Sequence, residues 1–132
     1  LIQHLTELTN GVCKMATDIE PKGSSILKED ARTIKWEVFN KTTYCITNPP
    51  WDREILHPII ENFIASGKSW LLFDADWMHT KQATPFLRYC SRIVSVGRVK
   101  WIEDSTSTGK DNCAWYLFDQ KNKTPTEFYG RT

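Results

Sequence analysis

The chain predicts a single α/β domain with a mostly parallel sheet that ends in an antiparallel β-hairpin. Three observations carry that prediction. Apolar, β-prone runs alternate with helix-periodic segments, the order expected where strands and helices take turns along a chain. The last two β-prone runs are separated by a polar loop with no helix, which fits a hairpin. The length, 132 residues, supports one domain whose core needs no disulfide staples.

The elements follow in order. Leu1, Ile2, Leu5 and Leu8 recur at helical spacing, and Thr9-Asn10-Gly11 stops the pattern. The chain opens on Leu1 rather than Met, in a helix already under way, which reads as a processed product, a cloned fragment or a partial reading frame. Val12 to Thr17 is a short strand closing at Asp18, and Ile26 to Ala31 is a second strand-like run that ends on an acid. Thr33 to Lys41 is a turn or short helix. Tyr44 to Thr47 is the third strand. Glu54 to Ser66 is a helix with an apolar stripe of Ile55, Leu56, Ile59, Ile60, Phe63 and Ile64, stopped by Gly67. Trp70 to Ala75 is nearly continuous apolar sequence, as in a strand buried on both faces. Thr84 to Cys90 suits a short helix with Pro85 in its first turn. Arg92 to Trp101 alternates as a strand, Glu103 to Asp111 is a Ser/Thr/Gly loop, and Asn112 to Asp119 is the last strand. The domain is predicted to occupy residues 1–120, with 121–132 a loosely held C-terminal tail.

Composition narrows the functional classes. A net charge of +1 gives no global field for nucleic acid or membrane, so any polyanion-binding surface must be local. No apolar run approaches the length of a membrane span, and there is no signal-peptide pattern. Cys13, Cys45, Cys90 and Cys113 are widely spaced, and three lie in apolar runs, which reads as reduced core thiols in a cytoplasmic protein. His4, His57 and His79 match no metal spacing, so no metal is expected. Acids (Asp18, Glu20, Glu29, Asp30) gather in the first half and bases (Arg88, Arg92, Arg98, Lys100, Lys110) in the second. That division leaves the second half as the basic side, compatible with DNA or RNA binding.

The most specific stretch is Asn48-Pro49-Pro50-Trp51, directly after the third strand. Consecutive prolines neither extend a helix nor donate to a central ladder, so they form a rigid loop at the strand's C-terminal edge. In open α/β sheets that edge is where ligands bind. An exocyclic amine of a base is a poor nucleophile because its lone pair is delocalised into the ring. An Asn oxygen and an adjacent backbone carbonyl can accept its N–H bonds, return electron density to nitrogen and aim the lone pair at a methyl donor. A Trp face can stack a flipped base. The plainer reading of the same residues is a rigid turn with an apolar plug.

With these residues the chain resembles the class I S-adenosylmethionine-dependent methyltransferases, in the amino-methylating group with an N/D/S-P-P-Y/F/W motif. That group includes DNA N6-adenine methyltransferases, and the short, aromatic-rich form here looks phage-like. The resemblance implies a Rossmann-like three-layer sandwich and S-adenosyl-L-methionine as cofactor. It makes Asn48, Pro49, Pro50 and Trp51 the catalytic motif. Asp18 would bind the cofactor ribose with Ile19 beside the adenine, and Asp30, with Ala31 next to it, would accept from the adenine amine. Trp77 and Lys110 are candidate substrate contacts, Lys110 within a Ser/Thr loop suited to phosphate; the alternatives are packing for Trp77 and a solvated hairpin loop for Lys110. The family's first strand and glycine-rich turn would precede the first helix, and no G-x-G occurs in the chain. The expectation is that an upstream segment supplies them; the alternatives are closed-up strands or a homo-oligomer whose second copy fills the slot. The expected function is methyl transfer to N6 of adenine in DNA, in a form incomplete as this chain. The alternatives are methylation of a protein glutamine or an RNA base, and a non-catalytic methyltransferase-like binding or assembly module.

Overall fold

A computed structural model describes residues 13, 15–35, 43–99 and 111–132. Among them are strands β1 (Thr17–Asp18), β2 (Leu27–Lys28) and β3 (Tyr44–Thr47), helix α1 (Arg53–Ser66) and strand β4 (Lys68–Asp74). Two 3₁₀ turns (Ala75–His79 and Lys81–Ala83), helix α2 (Thr84–Leu87) and strands β5 (Cys90–Arg98), β6 (Asn112–Phe118) and β7 (Glu127–Tyr129) follow. The predicted first helix and residues 36–42 and 100–110 lie outside the described residues.

The architecture is mixed α/β with a five-stranded sheet of order β3-β4-β6-β5-β7. It is a mixed sheet rather than a mostly parallel one. β3–β4 and β5–β7 pair parallel, whereas β4–β6 and β5–β6 pair antiparallel. The predicted hairpin of β5 and β6 is present, but β6 inserts between β4 and β5 and so makes two antiparallel ladders. It is the most buried strand: Cys113, Ala114, Tyr116, Leu117 and Phe118 are all enclosed. β4 instead alternates, with Ser69, Leu71 and Phe73 buried and Trp70 and Leu72 partly covered. β1 and β2 form a separate parallel ladder, with Thr17 opposite Leu27 and Asp18 opposite Lys28.

The predicted loose tail is in part structured. Glu127–Tyr129 is the edge strand on β5, and Thr126 Oγ1 donates to the Cys90 carbonyl at 2.6 Å. Asn122 Nδ2 donates to the Arg88 carbonyl at 3.0 Å, tying the approach to β7 onto the turn before β5. A bulge in β5 between Ser95 and Gly97 places Gly97 at φ 85°, a conformation that side chains with a Cβ rarely adopt.

α1 forms where its stripe predicts. Asp52 caps it by accepting from the Glu54 amide at 3.0 Å, satisfying one orphan donor of the first turn. Gly67, at φ 155° and ψ −156°, takes the chain out of the helix while its N–H still reaches the Phe63 carbonyl. Leu56, Ile59, Ile60 and Phe63 are at most 3% exposed and pack with Leu71, Phe73, Ile93, Tyr116 and Phe118 of the sheet. Each such side chain stabilises the fold by about 1.5–3 kcal/mol relative to exposure.

Candidate functional site

β3, β4 and β5 run in one direction, so their C-terminal ends share one edge of the sheet. The Asn48–Trp51 turn leaves β3 at this edge and leads into the Asp52 cap of α1. Pro49 is buried, Asn48 and Pro50 are exposed, and Trp51 is half-buried against the core. One proline thus pins the turn to the protein while the Asn amide faces accessible space, without a hydrogen bond among the described residues. Pro49 and Trp51 thus pack the turn inward, and Asn48 stands exposed beside them.

At the end of β4, Asp74 accepts from the Asp76 amide at 3.0 Å and caps the 3₁₀ turn. Tyr116, fully buried in β6, donates its hydroxyl to the carbonyls of Asp74 (2.8 Å) and Ala75 (3.2 Å). Burial pushes the Tyr116 phenol well above its ordinary range. The phenol therefore stays protonated and holds the main chain at the end of β4.

Trp77 does not line an open cleft. It is 1% exposed and sits among Phe73, Phe86, Tyr116 and Phe118. Its indole N–H donates to His57 Nε2 at 3.0 Å. The tight 3₁₀ turn swings the indole inward from a polar run, so Trp77 serves packing where the sequence suggested a substrate contact. The same bond fixes His57 as neutral, with Nε2 the acceptor. Burial lowers the His57 pKa first, and the Arg53 charge lowers it further. His79 is exposed.

The two predicted cofactor acids lie side by side. Asp18 ends β1, and its carbonyl accepts from the Glu29 amide at 3.0 Å, one residue before Asp30. Asp18 Oδ1 accepts from the Glu20 amide at 2.9 Å; Oδ2 has no partner among the described residues. Ile19 is 54% exposed, available to lie along a flat ligand. Asp30 is engaged differently from the sequence expectation. Arg32 Nε contacts both its oxygens at 3.0 and 3.1 Å, Arg32 Nη2 contacts Oδ2 at 2.7 Å, and the Arg32 amide donates to Oδ1. These hydrogen bonds from Arg32 hold the Asp30 carboxyl below the usual carboxylate range. A ligand amine at Asp30 must displace the guanidinium, and the pair is exposed enough to open at small cost.

Ala31 packs partly against the core, and its carbonyl accepts a hydrogen bond from α1. Asn62, 6% exposed on α1, donates from Nδ2 to the carbonyls of Ala31 (3.0 Å) and Ile34 (2.6 Å). Neither Arg32 nor Asn62 was singled out from sequence. Arg32 follows an acid by two residues, a spacing that permits a local fork. Asn62 is a polar residue within the apolar sector of α1, and that mismatch is its readable signal.

Among the described residues, Arg88, Arg92 and Arg98 do not gather on one patch. Arg88 lies over the Tyr89 ring, at 4.7 Å from its centroid, just before β5, and Arg92 lies near the strand's start. Arg98 ends β5 at the same edge as Asn48, about 20 Å from Arg92 by strand rise. Lys100 and Lys110, with the Ser/Thr loop, lie outside the described residues. Arg92 instead helps line a cleft of about 230 Å³ at the opposite edge, with Tyr44, Lys68, Asp119 and Glu127.

The thiols of Cys90 and Cys113 are buried, and burial pushes those of Cys45 and Cys90 up to about 12. They remain protonated, as fits packing residues. No helix among the described residues is long and apolar enough to cross a membrane. No protein-family model matches the chain, and comparison with curated proteins and with solved structures gave no match either.

Proposed function

We propose that this domain transfers a methyl group from S-adenosyl-L-methionine to an exocyclic amine, namely N6 of adenine in DNA. The observation that carries the reading is the Asn48–Trp51 turn at the C-terminal end of β3, with Pro49 buried and Asn48 exposed. Fixing the backbone on Pro49 pre-organises the Asn48 amide, so little reorientation is needed when an amine arrives. Asn48 Oδ1 and an adjacent carbonyl accept the amine's hydrogens, and Trp51 supports the base. S-adenosyl-L-methionine, when bound, would supply an activated methyl on a sulfonium and leave as S-adenosylhomocysteine, with the surplus proton of the methylated amine passing to water.

The donor set fits the adenosine half of that cofactor. Asp18 Oδ2 suits a ribose hydroxyl, exposed Ile19 suits the adenine face, and Asp30 suits the adenine amine once Arg32 yields. Homology-free support for a Rossmann-like methyltransferase arrangement comes from β3, β4 and β5 sharing one direction, with reversed β6 beside β5. A non-catalytic binding module is the second reading, favoured by the Arg32 fork that occupies Asp30.

Calorimetry with S-adenosylhomocysteine tests the proposal. Saturable binding that weakens at least tenfold in Asp18→Asn supports it. Absence of binding in an otherwise folded protein favours the module.

A further inference from the structure

We propose that Asn62 is a positioning residue that sets the Asp30–Lys35 turn, and with it the adenine end of the cofactor site, against α1. The inference rests on the methyltransferase reading for its ligand; the structural coupling stands on geometry.

The turn is built on the Asp30 carbonyl, which accepts from the amides of Thr33 at 3.0 Å and Ile34 at 2.9 Å. Its other carbonyls need partners as the chain passes the helix. Asn62 supplies two, through Nδ2 to Ala31 and Ile34. Its Oδ1 accepts from Lys35 Nζ at 2.6 Å and is 3.4 Å from the Ser66 hydroxyl. A single buried amide therefore uses both donor hydrogens and its oxygen, three of its four contacts going to residues 31–35. Such a group is costly to leave half-satisfied, which makes the docking position specific. Apolar contact alone would be less particular: Ala31 and Ile34 are only partly buried on the core.

The location gives the clamp its consequence. The β1–β2 ladder shares no strand pairing with the five-stranded sheet among the described residues. Main-chain ladders among the described residues therefore do not set the distance between the Asp18/Asp30 edge and the Asn48 turn. Asn62 does so from the helix that begins immediately after that turn. Adenosine binding and amine orientation are thus registered through one rigid element, with Asn62 about 14 Å along the axis from its first residue.

The test compares wild type, Asn62→Ala and a stability control, Ile64→Val, which trims a buried side chain on the same helix and leaves the Asn62 amide and its hydrogen bonds in place. Hydrogen exchange and S-adenosylhomocysteine calorimetry are measured on each. In Asn62→Ala, the Thr33 and Ile34 amides should exchange at least tenfold faster, while α1 and β4 amides change no more than in Ile64→Val. The dissociation constant should rise at least tenfold in Asn62→Ala and less than twofold in Ile64→Val. Unchanged exchange at Thr33 and Ile34 overturns the proposal whether or not ligand binds. Binding within twofold of wild type in Asn62→Ala overturns it too. Absence of binding in wild type, with the accelerated exchange still seen, removes the methyltransferase reading and leaves the coupling supported.

Discussion

Replacing Tyr116 by Phe removes one oxygen from a side chain that is otherwise retained, and so isolates the tie between β6 and the end of β4. The hydroxyl donates to the carbonyls of Asp74 and Ala75, and the residue is fully buried. The phenyl ring keeps the stacking on Phe73, whose centroid is 4.3 Å away, so no large cavity opens. What remains is the loss of a buried hydrogen bond and the exposure of its acceptors to an apolar neighbour, about 1–2 kcal/mol. For a chain of this size that corresponds to a fall of about 4–7 °C in melting midpoint. The difference has a pH signature. Burial raises the folded-state phenol above its ordinary value of 10.0, so the unfolded chain ionises first. The contribution is complete below pH 10 and declines as pH rises beyond it, so wild type and Tyr116→Phe should converge in alkali. Urea and thermal unfolding between pH 7 and 11 measure this. A loss below about 0.5 kcal/mol at pH 7, a value typical of open surface sites, would show that the hydroxyl does not secure the strand end.

Two further predictions follow from the helix beside the site. Asp52→Ala removes the cap of α1 and should cost about 1 kcal/mol in urea unfolding, with little change in Asp52→Ser. His57 has a folded-state pKa below its ordinary 6.5, so its contribution is complete above that pH and lost as pH falls from there toward the folded value. Thermal midpoints of wild type should therefore fall between pH 6.5 and 5 more steeply than those of His57→Gln, which cannot take up the proton; parallel slopes would contradict the neutral His57–Trp77 pair.

Much of the main sheet's local structure was legible because its signals are local. The stripe from Ile55 to Ile64 and the stop at Gly67 read correctly as α1, and Pro85 marked α2. The Pro49-Pro50 pair announced the end of β3 because its missing donors leave few alternatives. The strand order was not readable in the same way. Nothing in the composition of Asn112–Phe118 says that it enters between β4 and β5; that follows from which faces the completed core can cover. β7 was missed because three residues after Pro125 and Thr126 carry no alternating pattern, and main-chain pairing with β5 holds them. For Trp77 the sequence leaves substrate contact and packing both open after the acid-ended strand, and it is the 3₁₀ turn following β4 that buries the side chain. In the candidate site, Asn48 and Asp18 could be named from their places after strands. Arg32 on Asp30 and Asn62 on the Ala31 turn depend on side-chain reach and long-range docking, which spacing alone does not encode.

Transfer of a labelled methyl group from S-adenosyl-L-methionine to adenine-containing DNA, with Asn48→Ala alongside wild type, tests the central claim most directly. Asn48 is exposed and unbonded among the described residues, so its truncation should leave stability within about 0.5 kcal/mol of wild type. Transfer by wild type should place the label on adenine N6, and Asn48→Ala should lose about 100-fold or more in rate. No transfer by folded wild type, or an Asn48→Ala rate equal to wild type, would contradict the account.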